Sequence, residues 1–540
     1  MSRRTGSWRL GAGLRLVALL LATWAGQATA GDAVAPAAVS AERGRVLYET
    51  GVLADGSAVS AWREGTGALP ARAAACVFCH RSSTRGGTEG GVRVPSIAGD
   101  KLFAAGQLPS AAKRLRRQWQ RHQTRSAYDS ASLARALAEG LDPDGQPLAS
   151  AMPRYRLDAG ALADLEAYLR LRGQDPTPGL GQGEMHLASV ITPQASPERR
   201  RSVVQALQAW AATMGFKAFQ VKWQLWELTG PSSTWATQLH ARWQAQPVYA
   251  LVSGAGGHEW EPVQDFCEAQ RLPCLFPVLD RIPATGASHW SMYLGGGVEA
   301  EARMLAQWLN RPAQSDKGAK AAPPRVFQVH DTPAGAAAAR QLAQTLAASG
   351  SVPPVLDADA AAGVPAPQER DTLVLWLGPA AAQAWLKNHT PERAPRVVLS
   401  AQLAPPQAVE VPMPWRSRVV WVSQRSDPVR HAAGAALSLR PWMAQLGLDM
   451  PAHPNDLADV HAATFFFGDA FSQTLGQFQP DHLLERLEVA LDRRPAGAGF
   501  YRLSLGPAQR TAAQGGHILA FKPPERAYLA PLAGYLRAED

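Results

Sequence analysis

Cysteine is scarce, with four in 540 residues. A chain so poor in cysteine is not a small disulfide scaffold, and its cores must be built from apolar side chains. Long apolar runs are scarcer still. The one candidate, Leu16 to Gly26, is too short to span a bilayer comfortably. An excess of charge is also small: 54 lysines and arginines against 45 acids leave +9. Four of those positive charges lie before residue 31, and the remainder does not imply a nucleic-acid partner. Enzyme signatures are lacking as well. "LVSGAG" has no G-x-S-x-G elbow, and "GAGG" is too short for a phosphate loop, so an enzyme is not expected.

What the N-terminus does have is an export pattern. Arg3, Arg4, Arg9 and Arg15 precede the apolar run, no acid occurs before Asp32, and "ATA" closes the segment. That is a signal peptide over 1–30, cut after Ala30. The expectation is a soluble protein exported to a Gram-negative periplasm, with no transmembrane span once the signal is removed. At this length two or three domains are natural.

"CVFCH" then places Cys76, Cys79 and His80 in the C-x-x-C-H pattern of covalent c-type haem attachment. Two thiols at this spacing reach the two vinyl groups of one macrocycle, and the next imidazole falls under the iron. A thioredoxin-like pair would need a βαβ context, and a zinc site a second ligand pair; neither accompanies the motif. Downstream, Met152 sits before Pro153 in a polar loop. Asp158 caps a helix carrying Leu162, Leu165 and Leu169 at helical spacing. With the helix of Ser40 to Gly51 and the "MP-x-Y" loop, residues 38–173 resemble a class I cytochrome c. The resemblance implies a small all-α domain over 31–172 holding one haem c, with His80 and Met152 as axial ligands. It also implies one-electron transfer with a periplasmic redox partner, a dehydrogenase or a respiratory cytochrome. The basic stretch Ala111 to Arg125 reads as a solvated helical face, or as a docking face for an acidic partner.

Residues 173–184, rich in Gly and Pro, read as a linker. Beyond them short apolar runs alternate with helical stretches, and the alternation restarts after the loop 311–324. Strand–helix alternation of this kind marks parallel sheets covered on both faces, here in two α/β lobes beside a cleft. Within a domain drawn over 185–540, residues 185–525 resemble the type 1 periplasmic solute-binding proteins, the leucine/isoleucine/valine-binding group. The pieces that carry this are "PVYALVSGAG", "LPCLFPV" and the tail Gly499 to Phe521. The resemblance implies a hinged cleft for a small-molecule solute, with Ser253, Gly254, Ala255 and Gly256 cradling an anionic group. Asp280 stands where those binders usually have a hydroxyl. A carboxylate there disfavours an anion and favours an amine, amide or polyol. The family's tyrosines in the second lobe are not evident; Thr332 and Trp376 stand nearby. Cys267 and Cys274 fit either a disulfide or two separate buried thiols.

The combined expectation is a multidomain periplasmic protein, a monohaem c-type cytochrome fused to a solute-binding-like domain that binds a solute or docks a redox partner. The alternative is a solute-binding component of an ABC importer or a haem-based sensor.

Overall fold

The computed structural model describes residues 36–538, apart from 90–91, 107–124, 175–176, 217, 287, 312–324, 349–354, 358–366, 452–453, 494–498 and 525. The signal peptide and nearly all of the basic stretch before Arg125 lie outside the described residues. Two compact units are present, Met1–Gln174 and Asp175–Asp540.

The first unit is framed by two crossed helices, α1 (Pro36–Thr50) and, at the far end of the unit, the Ala159–Leu171 helix. They approach closely because residue 44 is glycine: a Cβ there would lie 1.9 Å from the Asp164 carbonyl oxygen. Arg43 clamps the crossing with hydrogen bonds of 2.7 Å to both Asp164 oxygens. Between these helices lie α2 (Val77–His80) and α3 (Ser130–Ala138). The closing helix, α4, starts where Asp158 accepts the Ala161 amide at 2.7 Å, the capping role expected of it.

The unit is not all-α. Strands β1 (Ser60–Arg63), β2 (Gly67–Leu69) and β5 (Arg154–Arg156) form an antiparallel sheet in the order β2-β1-β5. Strands β3 (Gly87–Glu89) and β4 (Val92–Val94) make a second pair. These segments run three or four residues, too short for a period-2 pattern to appear in the sequence.

The second unit has two α/β lobes. In lobe 1, β6 (Leu180–Gly181) turns back on β7 (Glu184–Ile191), so the end of the presumed linker is part of the fold. The sheet continues through β8 (Gly215–Phe216), β9 (Phe219–Glu227), β10 (Ala250–Ala255), β11 (Cys274–Leu275) and β12 (Ser291–Met292), in the order β12-β11-β10-β7-β9-β8. β7, β9, β10, β11 and β12 run parallel. Helices α5 (Pro197–Thr213), α6 (Trp235–Ala245) and α7 (Glu261–Gln270) cross between strands. Side chains of β7 divide between the faces: Met185, Leu187 and Ile191 enter one core, Ala188 and Val190 the other. That division is why the strand reads as a nearly continuous apolar run. Cys267 of α7 and Cys274 of β11 are joined as a disulfide, with Cα atoms 6.2 Å apart.

Lobe 2 opens with α8 (Gly297–Leu309) and is built on β13 (Val326–His330), β14 (Val355–Asp357), β15 (Thr372–Trp376), β16 (Arg396–Ser400) and β17 (Val419–Ser423). These five are parallel, and antiparallel β18 (Gly515–Phe521) and β19 (Leu529–Pro531) complete the sheet. Helices α9 (Pro333–Ala348) and α10 (Pro379–Asn388) follow β13 and β15. After β17 the chain returns to lobe 1, where α11 (Asn455–Ser472) and α12 (Pro480–Arg493) join its core, before β18 enters lobe 2. The lobes are therefore linked by three crossings: at Gly295–Gly297, just after β17, and just before β18. Gln424 ties two of them, accepting the Gly296 amide at 2.9 Å and donating to the Gly297 carbonyl at 3.0 Å.

Candidate functional site

In the first unit Cys76, Cys79, His80 and Met152 line one apolar pocket of about 1110 Å³, with Pro95, Ile97, Leu133, Leu137 and Tyr155 among the other walls. α2 carries the two cysteines and the histidine on one short turn, while β5 holds the methionine loop from the other direction. Tyr155, next but two after Met152, donates its hydroxyl to the Ala74 carbonyl at 2.8 Å, and Arg154 Nη1 donates to the Met152 carbonyl at 2.7 Å. His80 is buried and its Nδ1 lies 3.0 Å from the Pro95 carbonyl, a contact that calls for the proton on Nδ1 and leaves Nε2 as a lone pair. Burial lowers the pKa of this imidazole and keeps it neutral, the form that ligates iron. Burial likewise pushes the Cys76 thiol up to about 12. The donor set and the apolar walls fit a covalently held haem: two thiols, an oriented imidazole and a thioether share one apolar pocket.

The second unit holds a broader, polar cleft between its lobes, about 1550 Å³. It lies at the carboxyl ends of the parallel strands, the usual ligand position in such sheets. Helix starts surround it. Ser196 caps α5 by accepting the Arg199 amide at 3.2 Å, Thr332 accepts the Gly335 amide at 3.1 Å at the start of α9, and Gly378 precedes α10. All three residues line the cleft.

Of the five residues expected to hold solute, only Asp280 faces this cleft. Ser253, Gly254, Ala255 and Gly256 lie deeper, in and just beyond β10. Their polar backbone is committed to the sheet: the Gly256 amide donates to Val278 at 3.0 Å, and Gly254 and Ala255 accept from Val278 and Thr192, both at 3.0 Å. The register shifts within β10, and Ser253 takes a left-handed φ of 56°. The strand carries Gly254 and ends at Ala255, the Gly256 amide pairs with Val278, and it is Gly257 and His258 that reach the cleft wall. The expected anion cradle is corrected accordingly. Thr332 does line the cleft; Trp376 is fully buried and donates its indole N–H to Gln328 at 2.8 Å.

Asp280 is ion-paired. Arg199, on the first turn of α5, reaches Asp280 at 2.9 Å, Asp456 of α11 at 3.0 Å and the Gly256 carbonyl at 3.0 Å. Burial opposes the Arg199 charge, but the two carboxylates outweigh it and raise its pKa. A second guanidinium, Arg425, follows β17 and is held on Asp459 through contacts of 3.0 and 2.6 Å. Arg199, Arg425, Asp456 and Asp459 were all missed by sequence reasoning, because their partners are brought together only by the return of α11 to lobe 1.

No family profile matches the chain, and no curated protein is similar to it. Solved structures do match. A branched-chain amino acid ABC transporter structure from Thermus thermophilus with bound valine is 10% identical, covers 66% of this chain and 97% of its own, and has a TM-score of 0.48. A fatty acid ABC transporter substrate-binding protein from Thermomonospora curvata is 12% identical over 67% of this chain and 95% of its own, with a TM-score of 0.46. A leucine-binding protein, LivK, from Thermotoga maritima is 11% identical over 65% and 99%, with a TM-score of 0.44. The expectation that the chain is first a one-electron carrier is corrected by this finding. Two of these three are named as parts of ABC transporters and the third as a leucine-binding protein; none is named as a cytochrome. No redox partner is assigned. Among the described residues, no helix is long and apolar enough to cross a membrane.

Proposed function

We propose that this chain is a periplasmic binding protein for a small polar solute, of the kind that serves an ABC importer, and that its first unit carries a covalent haem c. The observation that carries the solute reading is the cleft itself. It is walled by both lobes, ringed by the starts of α5, α9 and α10, and bordered by the Arg199–Asp280–Asp456 cluster. Helix starts present amides to an acceptor group of a solute, and the outer carboxylate oxygens present acceptors to a donor group. Such a wall suits a solute with both kinds of group, and Pro333, Pro379, Leu403 and Leu457 add apolar lining beside it. The reading assigns binding and no bond-making chemistry. A thermal-shift panel of amino acids, amides, amines and polyols tests it: one class should raise the melting temperature, and a flat response across the panel contradicts it. A ligand at one hundred times its Kd adds about 2.7 kcal/mol.

For the haem, Cys76 and Cys79 would hold the macrocycle through thioethers, and His80 and Met152 would hold its iron. When bound, the group supplies an iron centre whose coordination is open to spectroscopy. The chain's own part is to orient it: Pro95 fixes the His80 ring, and Tyr155 and Arg154 pin the loop that presents Met152. The apolar walls exclude water from the iron.

A further inference from the structure

Behind the cleft, and sharing Ala401, Arg425 and Asn455 with its wall, lies a small recess lined also by Gln407, Ser426 and His431. It has room for about one water-sized group. His431 is 6% exposed, yet among the described residues neither ring nitrogen has a hydrogen-bond partner, and the buried Asn455 Oδ1 has none either. Buried polar atoms are nearly always hydrogen-bonded, and orphaned atoms on two residues that line one recess are a cost the fold bears for something. The packing that creates it is specific. His431 lies against Gly499, where a Cβ would come within 2.1 Å of Nδ1, so only glycine leaves space for the imidazole.

We propose that this recess is a subsite of the cleft that accepts a hydroxyl or primary amide group of the solute, contacted by His431 and Asn455. This names the solute class and rests on the solute-binding reading. The complementarity is a matter of counting. Burial, then the neighbouring Arg425, lowers the His431 pKa to about 4, so the ring is neutral at pH 7 with one donor and one acceptor. Asn455 Oδ1 adds a second acceptor. A carboxylate, which only accepts, would meet those two acceptors with a single donor. An ammonium would have to be desolvated beside the Arg425 guanidinium. A hydroxyl both donates and accepts, and an amide NH₂ donates to both acceptors; each meets two of the three groups.

The test uses the full chain and a defined panel: erythritol, inositol, glutamine, acetamide, putrescine and leucine. The strongest stabiliser is then titrated into wild type, His431→Leu and Asn455→Leu, with circular dichroism checking that each variant is folded. A hydroxyl- or amide-bearing solute should bind best. Either variant should weaken it roughly tenfold while the solute-free melting temperature holds or rises, since an unsatisfied group has been removed. Unchanged affinity in both variants means that the recess serves no solute and holds solvent only, which overturns the subsite and leaves the binding reading standing. Leucine or putrescine as the best ligand overturns the stated class. No binding by any probe fails the solute-binding reading and the subsite with it.

Discussion

Arg199→Ala removes the guanidinium that joins α5, the loop at Asp280 and α11. The Arg199 side chain is 13% exposed, and Asp280 and Asp456 are 27% and 29% exposed. Truncating one member of a buried ion cluster costs about 3–5 kcal/mol, chiefly because the remaining charges are left uncompensated. Here both carboxylates retain some access to water through the cleft, so the lower end applies, about 3 kcal/mol. Urea denaturation measures it: the midpoint should fall while the slope with denaturant stays the same, because the surface exposed on unfolding barely changes. The triple variant Arg199→Ala, Asp280→Asn, Asp456→Asn should recover part of the loss, since it removes the charges that Arg199 leaves behind. A loss below about 0.5 kcal/mol for Arg199→Ala, as for a substitution on an ordinary surface, would refute the reasoning. So would a triple variant less stable than the single one.

Other consequences follow from the same physics. Glu301 of α8 is buried, accepts the Ser400 hydroxyl at 2.5 Å, and is pushed by burial from 4.5 up to about 8. Its folded pKa lies above the unfolded one, so the folded state keeps the proton through that window and the unfolded state releases it. Stability should therefore decline as pH rises from about 4.5 to about 8, and Glu301→Gln should flatten the decline in urea titrations at a series of pH values. A variant with the wild-type slope would contradict this. In the first unit, Cys76→Ala with Cys79→Ala should abolish haem staining on denaturing gels, and Met152→Ala should keep covalent haem but open the iron to carbon monoxide. Staining that survives the double substitution would remove the haem assignment.

The strand–helix alternation of the second unit was legible because its strands are buried on both faces. β10, for example, has all six residues buried. Helix starts were equally readable where a capping side chain lies next to the helix, as at Asp158. The cleft was not. Asp280 was found, but Arg199 binds Asp456 from 257 positions away, and no local pattern announces such a pair. The glycines after Ser253 look like a loop, yet Gly254 lies in β10 and the Gly256 amide is bonded to Val278, which moves the cleft wall on to Gly257 and His258. The short strands β1 and β5 escaped notice for want of length, and the orphaned atoms of His431 and Asn455 belong to tertiary packing alone.

The central claim is that the cleft between the lobes holds a solute, and plugging it is the most direct test. Gly378 lines the cleft, has an ordinary φ of −67°, and a Cβ there meets nothing within 4 Å, so Gly378→Trp can fill the space without disturbing the fold. Calorimetric titration of the strongest stabiliser into wild type and Gly378→Trp decides the matter. The account predicts one site per chain in wild type and at least a hundredfold loss in the plugged variant at an unchanged melting temperature. Equal binding by the two proteins would place the solute elsewhere and contradict it.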